Sequence, residues 1–395
     1  MHSINKNSYL HNYFKDINPR LINRCVERAF GRKIIDGHDL EPPFNRLCSE
    51  QPNIPIADLD IIHRPIGFGR CAMTKLRREL HHKDPKVVIA ALESISELVI
   101  DSTRGYEALK LQVDERLTDL LMDEDPAVRE RTSRALKILA KLADGKTKIA
   151  KNSTLLHNLA ACAEDNNKKV RLQVALVLQN IAEFWLTADT LVEFGFISIL
   201  LHILQNNEDN CIKLIHLKTL RALMYGIQGK MVALDNSGYN ILLTFLNDEN
   251  GPILAVALEC LAMLTSTCLG EKFAREVNLL DTLDKLLQDE RKEVHTQTAH
   301  VIMFCTVKGT GKILASKRPR LVPRLIQLCQ NKENNDTQLY ALQALTNICE
   351  HPAIRKLINI EYIHEVEKIQ VGFDPNIKVH KDRLLEVIAW TPHTT

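Results

Sequence analysis

Residues Asp125 to Ala140 read DPAVRERTSRALKILA, and this stretch decides the fold. An acidic residue followed by proline is a helix start: the carboxylate caps free N–H groups and proline loses nothing in the first turn. Val128, Thr132, Leu136 and Leu139 then fall at offsets 0, 4, 8 and 11, one face of a 3.6-residue helix. Working outward from Val128, the same shape recurs with first apolar positions at Val87, Val170, Ile212, Ile253, Val294, Thr337 and Ile377. From Val87 to Ile377 the successive spacings are 41, 42, 42, 41, 41, 43 and 40 residues. Coincidental amphipathic helices do not keep such a period. Offset 8 is aliphatic throughout: Ile95, Leu136, Leu178, Leu220, Leu261, Ile302, Leu345 and Leu385. Offset 11 is apolar throughout, from Leu98 to Ile388. Offset 4 is small or modest (Ala91, Thr132, Val174, Ala257, Thr298, Ala341), with His216 and Lys381 as departures.

A second amphipathic helix precedes each anchor helix, for example Arg116–Met122, Ile197–Leu204, Asn240–Leu246, Leu280–Leu287 and Leu321–Leu328. A polar turn such as Asp123-Glu124-Asp125 or Asn247-Asp248-Glu249-Asn250 joins the two and supplies the cap. A short third segment, such as Lys146–Ala150 or Gly270–Ala274, follows the anchor helix. No stretch alternates with period two. With 15 glycines in 395 residues and 5% aromatics, an all-β sandwich or barrel is disfavoured. At 45% hydrophobic and 25% charged, the chain has the material for a large core.

Lysine and arginine (51) nearly balance aspartate and glutamate (49), so the net charge of +2 argues against a dedicated nucleic-acid binder. The longest apolar run, Ile253–Leu264, is broken by Glu259 and is far short of the ~20 residues that span a bilayer. Met1–Asn7 is polar, without the apolar centre of a signal peptide, and the 10 cysteines form no CxxC pair. These features lead to the expectation of a cytoplasmic chain with reduced thiols and no membrane partner.

A period near 42 with three helical pieces per unit resembles the armadillo repeat over about residues 70 to 392. The resemblance implies an all-α, armadillo/HEAT-like, right-handed superhelical solenoid of about eight repeats. Residues 1–63 are an N-terminal extension and 64–392 the solenoid. Within the extension, 20–33 reads as one amphipathic helix: Leu21, Ile22, Cys25, Val26, Ala29 and Phe30 oppose Arg20, Arg24, Arg28, Arg32 and Lys33. Pro42, Pro43, Pro52 and Pro55 mark a linker. That helix serves either to dock on a partner or to cap the first repeat.

At the solenoid entry, Arg64–Leu76 (RPIGFGRCAMTKL) is similar to the P-I-x-F-G-x-x-A-x-x-K-L entry of the radial spoke head 14 homolog family of ciliary proteins. The late segment Ala299–Val307 (AHVIMFCTV), followed by Gly311-Lys312, resembles that family's A-x-x-x-M-F-A-T-V and G-K, with Cys305 in place of a small residue. The resemblance implies a structural component of the axonemal radial spoke in motile cilia or flagella, partnered by other spoke proteins. The alternative is a general armadillo adaptor not confined to cilia.

No catalytic pattern is visible. Gly309-Thr310-Gly311-Lys312 lacks the spacing and hydroxyl of a phosphate loop and reads as a helix-terminating turn. The 15 histidines form no metal spacing; His216 and His300, on repeat helices, read as partly exposed structural residues. No enzyme, cofactor or small-molecule substrate is expected. Armadillo import receptors carry Trp at offset 6 and Asn at offset 10 of successive anchor helices. Here offset 6 holds no Trp, and offset 10 keeps Asn only at Asn180 and Asn347. Trp185 and Trp390, near helix ends, read as packing residues.

Offsets 3, 6 and 10 are expected to floor a groove that takes a protein partner. That row holds Arg131, Arg134, Gln173, Asn180, Lys218, Glu259, His300, Tyr340, Gln343 and Asn347. Its mixed chemistry fits a specific partner, not a repetitive charged peptide. Lys308, Lys312, Lys317, Arg318, Arg320 and Arg324 have no acidic residue between them. They form a basic loop that is either a contact for tubulin or another acidic partner, or a solvated connection.

Overall fold

The computed structural model describes residues 72–331, 334–371 and 374–390. The expected helix at 20–33, the proline linker, the 63/64 boundary and residues 64–71 of the entry motif lie outside the described residues. The chain divides into two compact units at Val113/Asp114.

The first unit contains α1 (Ala72–Glu79), α2 (Pro85–Leu98) and α3 (Ser102–Lys110). The helix α1 packs on α2, enclosing Met73, Leu76, Val87, Ala91 and Ile95. Leu98, at offset 11, is half-buried, and Val99 beside it fills the interior instead.

From α4 (Val113–Leu120), which begins at the boundary, the second unit repeats one plan of a long helix followed by two short ones. In order these are α5 (Pro126–Leu139), α6 (Ala143–Lys151) and α7 (Ser153–Cys162); α8 (Lys168–Ala182), α9 (Trp185–Phe194) and α10 (Phe196–Gln205); and α11 (Asn210–Leu223), α12 (Ile227–Asp235) and α13 (Gly238–Thr244). Next come α14 (Gly251–Thr265), α15 (Cys268–Glu276) and α16 (Leu279–Leu286), then α17 (Lys292–Cys305), α18 (Gly309–Ser316) and α19 (Leu321–Cys329). The chain continues through α20 (Asn335–Cys349), α21 (Pro352–Leu357), a π turn (Ile358–Tyr362), α22 (Ile363–Glu367) and α23 (Pro375–Ala389). Each long helix packs on the next, α5 on α8 and so on to α23. Among the described residues there is no strand, and no single helix is long and apolar enough to cross a membrane.

The stripe at offsets 0, 4, 8 and 11 is the core of the stack. Leu136, Leu178, Leu220, Leu261, Ile302 and Leu345 are fully buried. At α23, the last helix among the described residues, Leu384 is buried and Leu385 only half so. Three residues before each anchor position stands the N-cap. Asp125, Asn167, Asp209, Asn250, Asn334 and Asp374 each accept a bond from the first turn. At α17 the N-cap position is Arg291, whose side chain makes no such bond.

Two further devices fix the register. Gly270 and Gly311, both at offset 17, touch the end of the preceding long helix. A Cβ at either would overlap the carbonyl oxygen of Leu264 or Cys305, so only glycine lets the next short helix cross so closely. Gly311 therefore lies in the opening turns of α18; the expected helix-terminating turn is a helix start. At offset 1, Arg129 reaches the next repeat through a bidentate pair with Asp165 (Nε–Oδ2 2.7 Å, Nη2–Oδ1 3.1 Å) and holds its own turn through Asp123 O at 2.8 Å. Arg171 repeats the device with Glu208 (2.6 and 3.0 Å) and Asp165 O (2.7 Å). Burial alone would raise the Asp165 carboxyl, but Arg129, the Asn167 N–H and Arg171 outweigh it and hold it low.

Candidate functional site

The long helices end abruptly. After α8 the chain turns into α9 within two residues, and Thr187 Oγ1 donates back to Ile181 O at 2.6 Å. The turn leaves Trp185, the first residue of α9, outside the packed interior and 71% exposed. One repeat on, Met224-Tyr225-Gly226 joins α11 to α12, and Tyr225 is 85% exposed. These two aromatic rings stand at the edge of a groove of about 830 Å³ within the second unit. Glu183 and Asp189 line it from the α8–α9 side, Arg221 from α11, Glu259 and Met263 from α14, Gln297 and His300 from α17, and Tyr340 from α20. A hollow of this volume is in the range that holds a few side chains of a ligand.

The charges are uneven. Arg221 is the cation among the lining residues, and its Nη1 lies 2.5 Å from Glu259 Oε2, tying α11 to α14. Glu183 Oε1 accepts from Gln179 Nε2 at 3.0 Å, and Asp189 has no hydrogen-bond or ionic partner among the described residues. The His300 ring stacks on Tyr340 (centroids 4.1 Å apart, planes 7°), with Nδ1 3.3 Å from Gln297 Oε1. Burial pushes His300 down to about 4, so it is neutral at pH 7 and the groove carries a net negative charge.

Of the expected row, Glu259, His300 and Tyr340 meet in this groove. Arg131, Arg134, Gln173, Asn180, Lys218, Gln343 and Asn347 do not line it. Arg131 lies against Glu130 (3.0 Å), and Gln343 Nε2 lies 3.0 Å from His380 Nε2. The two asparagines of offset 10 are spent on the scaffold: Asn180 donates to Lys137 O and Asn347 to Met303 O, both at 3.0 Å. The sequence reading missed Trp185 and Tyr225, at offsets 15 and 13, just beyond the long helix. Bulky apolar side chains at such a junction were the available signal.

Four further expectations are corrected. Trp185 is no packing residue, and Trp390 is 58% exposed with the Arg355 guanidinium 4.6 Å from its ring centre. His216 is fully buried instead of partly exposed, because both flanking long helices close over offset 4. The basic "loop" from Lys308 is largely helical: Lys312 lies in α18 and Arg324 in α19, with the other four at or between the helix ends. Three of its six charges are paired across repeats: Lys308 with Glu271 (2.9 Å), Lys312 with Glu350, and Arg318 with Asp281 (2.6 Å). Arg324 donates to Leu287 O at 3.0 Å. Among the described residues no group of His, Cys, Asp or Glu is placed to hold a metal ion.

Comparison with known proteins agrees with this architecture. Residues 107–230 match the family of the non-SMC mitotic condensation complex subunit 1. Among solved structures, an engineered protein superposes with a TM-score of 0.70 at 18% identity, covering 80% of this chain and 78% of that one. A designed armadillo repeat protein superposes with a TM-score of 0.54 at 18% identity, covering 59% of this chain and 98% of that one. The fold is an all-α repeat solenoid of the armadillo/HEAT-like kind. It is an architecture typical of scaffolds that present surfaces to protein partners.

Proposed function

We propose that the chain is a non-enzymatic protein-binding scaffold of the radial spoke, resident in the axoneme of motile cilia or flagella and made in the cytoplasm. Its partners on this reading are other spoke or axonemal proteins. The observation that carries the binding role is the groove edged by Trp185 and Tyr225, an exposed aromatic pair beside the uncompensated carboxylates Glu183 and Asp189. Its lining supplies no serine, threonine, cysteine or lysine nucleophile, and its histidine is stacked and neutral. The placement in the spoke rests on the resemblance of Arg64–Leu76 and Ala299–Val307 to the radial spoke head 14 homolog family. A direct tubulin contact through the basic segment has less support, since Lys308, Lys312 and Arg318 already face carboxylates.

A second reading, a general repeat adaptor, draws on the match of residues 107–230 to a condensation-complex subunit family. Detergent extraction of ciliated cells separates the two. A spoke component stays with the demembranated axoneme. Recovery of the full-length protein in nuclei or cytosol, with none in cilia, overturns the spoke reading in favour of the adaptor.

A further inference from the structure

We propose that the groove receives an extended segment of a partner protein in which one lysine or arginine side chain lies between bulky apolar ones. The proposal rests on reading the groove as the protein-binding surface and adds the chemistry it selects.

The apolar part of the ligand follows from the rim. Trp185 and Leu186 (54% exposed) occupy one junction, and Tyr225 and Ile227 (67% exposed) occupy the next. Singly exposed apolar residues are ordinary, but four at successive junctions beside one hollow form a patch that gains by being covered. Tryptophan and tyrosine are also the side chains that most often anchor interfaces, since they bring area at little entropic cost.

The cation follows from the charges. Arg221 is matched by Glu259, which leaves Glu183 and Asp189 as the groove's uncompensated carboxylates. Asp189 Oδ1 lies beside Gly226, 3.8 Å from where a Cβ would stand, so it sits between the Trp185 and Tyr225 junctions. An ammonium or guanidinium placed there meets a carboxylate in a hollow that two exposed aromatic side chains also line, and both kinds of group attract it. An acidic side chain meets only repulsion.

The brevity of the recognised segment follows from what is closed. The amides of Asn180 and Asn347 are occupied by Lys137 O and Met303 O, so no continuous row of free amides is offered to a ligand backbone. Selection falls to side chains over the two junctions.

The chain's own composition provides the assay. It holds two tryptophans, Trp185 and Trp390, so Trp390→Phe leaves Trp185 as the lone reporter. Phage-displayed random dodecapeptides are selected against full-length W390F protein, and the winners are resynthesised and titrated by Trp185 fluorescence. The expected result is enrichment of Lys or Arg at one position, flanked by apolar residues. Affinity should weaken with added salt and fall about tenfold in Asp189→Asn, with circular dichroism unchanged. Failure to enrich any peptide, a consensus without a cation, or equal affinity in the Asp189→Asn variant overturns the proposal. Axoneme retention of Trp185→Ala/Tyr225→Ala distinguishes this from failure of the broader reading. Loss of retention with a cation-free consensus removes the cation alone. Unchanged retention removes the groove as the docking surface as well, and with it the proposal.

Discussion

Replacing His216 with valine should abolish a large part of the chain's loss of stability in mild acid. His216 lies at offset 4 of α11, fully buried where α8, α10 and α14 close on the helix. Neither ring nitrogen has a hydrogen-bond partner. Burial pushes it from 6.5 down to about 4, and the one opposing influence is the Glu208 carboxylate, itself held by Arg171. In the folded state the ring therefore stays neutral from pH 7 to about 4, while in the unfolded chain it takes a proton below about 6.5. The unfolded state binds more protons in that window, so stability is full above pH 6.5 and drains away as pH falls towards 4. At about 1.4 kcal/mol per pH unit, the gap between 6.5 and about 4 amounts to about 3 kcal/mol. At pH 7 the variant should differ little, by about 1–2 kcal/mol in either direction. Valine already serves at the same offset as Val174, and removing two unpartnered polar atoms offsets the smaller volume. The assay is urea denaturation of both proteins, followed by circular dichroism from pH 7.5 to 4.5. His295, His300 and the carboxylates are common to both proteins and cancel in the difference. Stability curves that run parallel across that range would refute the reasoning.

Leu261→Ala should cost about 2–5 kcal/mol in denaturant titration, since Leu261 is fully enclosed between α11 and α17, with unfolding localised around α14 by hydrogen exchange. Asp165→Asn should cost about 1.5–3 kcal/mol, because the Arg129 clamp loses its charged partner. The carboxyl of Asp165 is held low, so this contribution is present above the ordinary carboxylate range and lost as pH falls through the lower folded value. A variant whose acid unfolding matches the wild type would show that the clamp carries no stability. Gly270→Ala should cost about 1–3 kcal/mol by driving a Cβ into the Leu264 carbonyl, read as a lowered Tm; an unchanged Tm would count against the close crossing.

The repeat was legible because a buried stripe can recur every 3.6 residues along a helix only if one face is always covered. From that, the positions Val128, Leu136 and Leu139 and their equivalents followed without coordinates. What was not legible depended on neighbours one repeat away. Lys308, Lys312 and Arg318 have no acidic residue near them in sequence, yet Glu271, Glu350 and Asp281 stand 37 or 38 residues off, which in this architecture is next door. His216 looked like a departure from a small-residue position, and only the closure of adjacent helices shows that the ring is enclosed. Trp185 misled for the opposite reason. Tryptophan usually buries, and whether it does here turns on a two-residue junction whose direction composition does not reveal. Of the candidate groove, the floor residues Glu259, His300 and Tyr340 were within reach of periodicity; the rim was not.

The arginine clamps have a mechanical consequence. Asp123, Arg129, Asp165, Arg171 and Glu208 form a continuous tie along one edge, in which bonds within a turn alternate with bonds that cross to the next repeat. At the following two equivalent positions stand Lys213 and Leu254, and the tie stops. Under a bending load the braced repeats resist as one beam, and the strain gathers where bracing ends. Past that point α11 and α14 are tied by the Arg221–Glu259 pair inside the groove, so the groove's own lining carries the load that the edge no longer does.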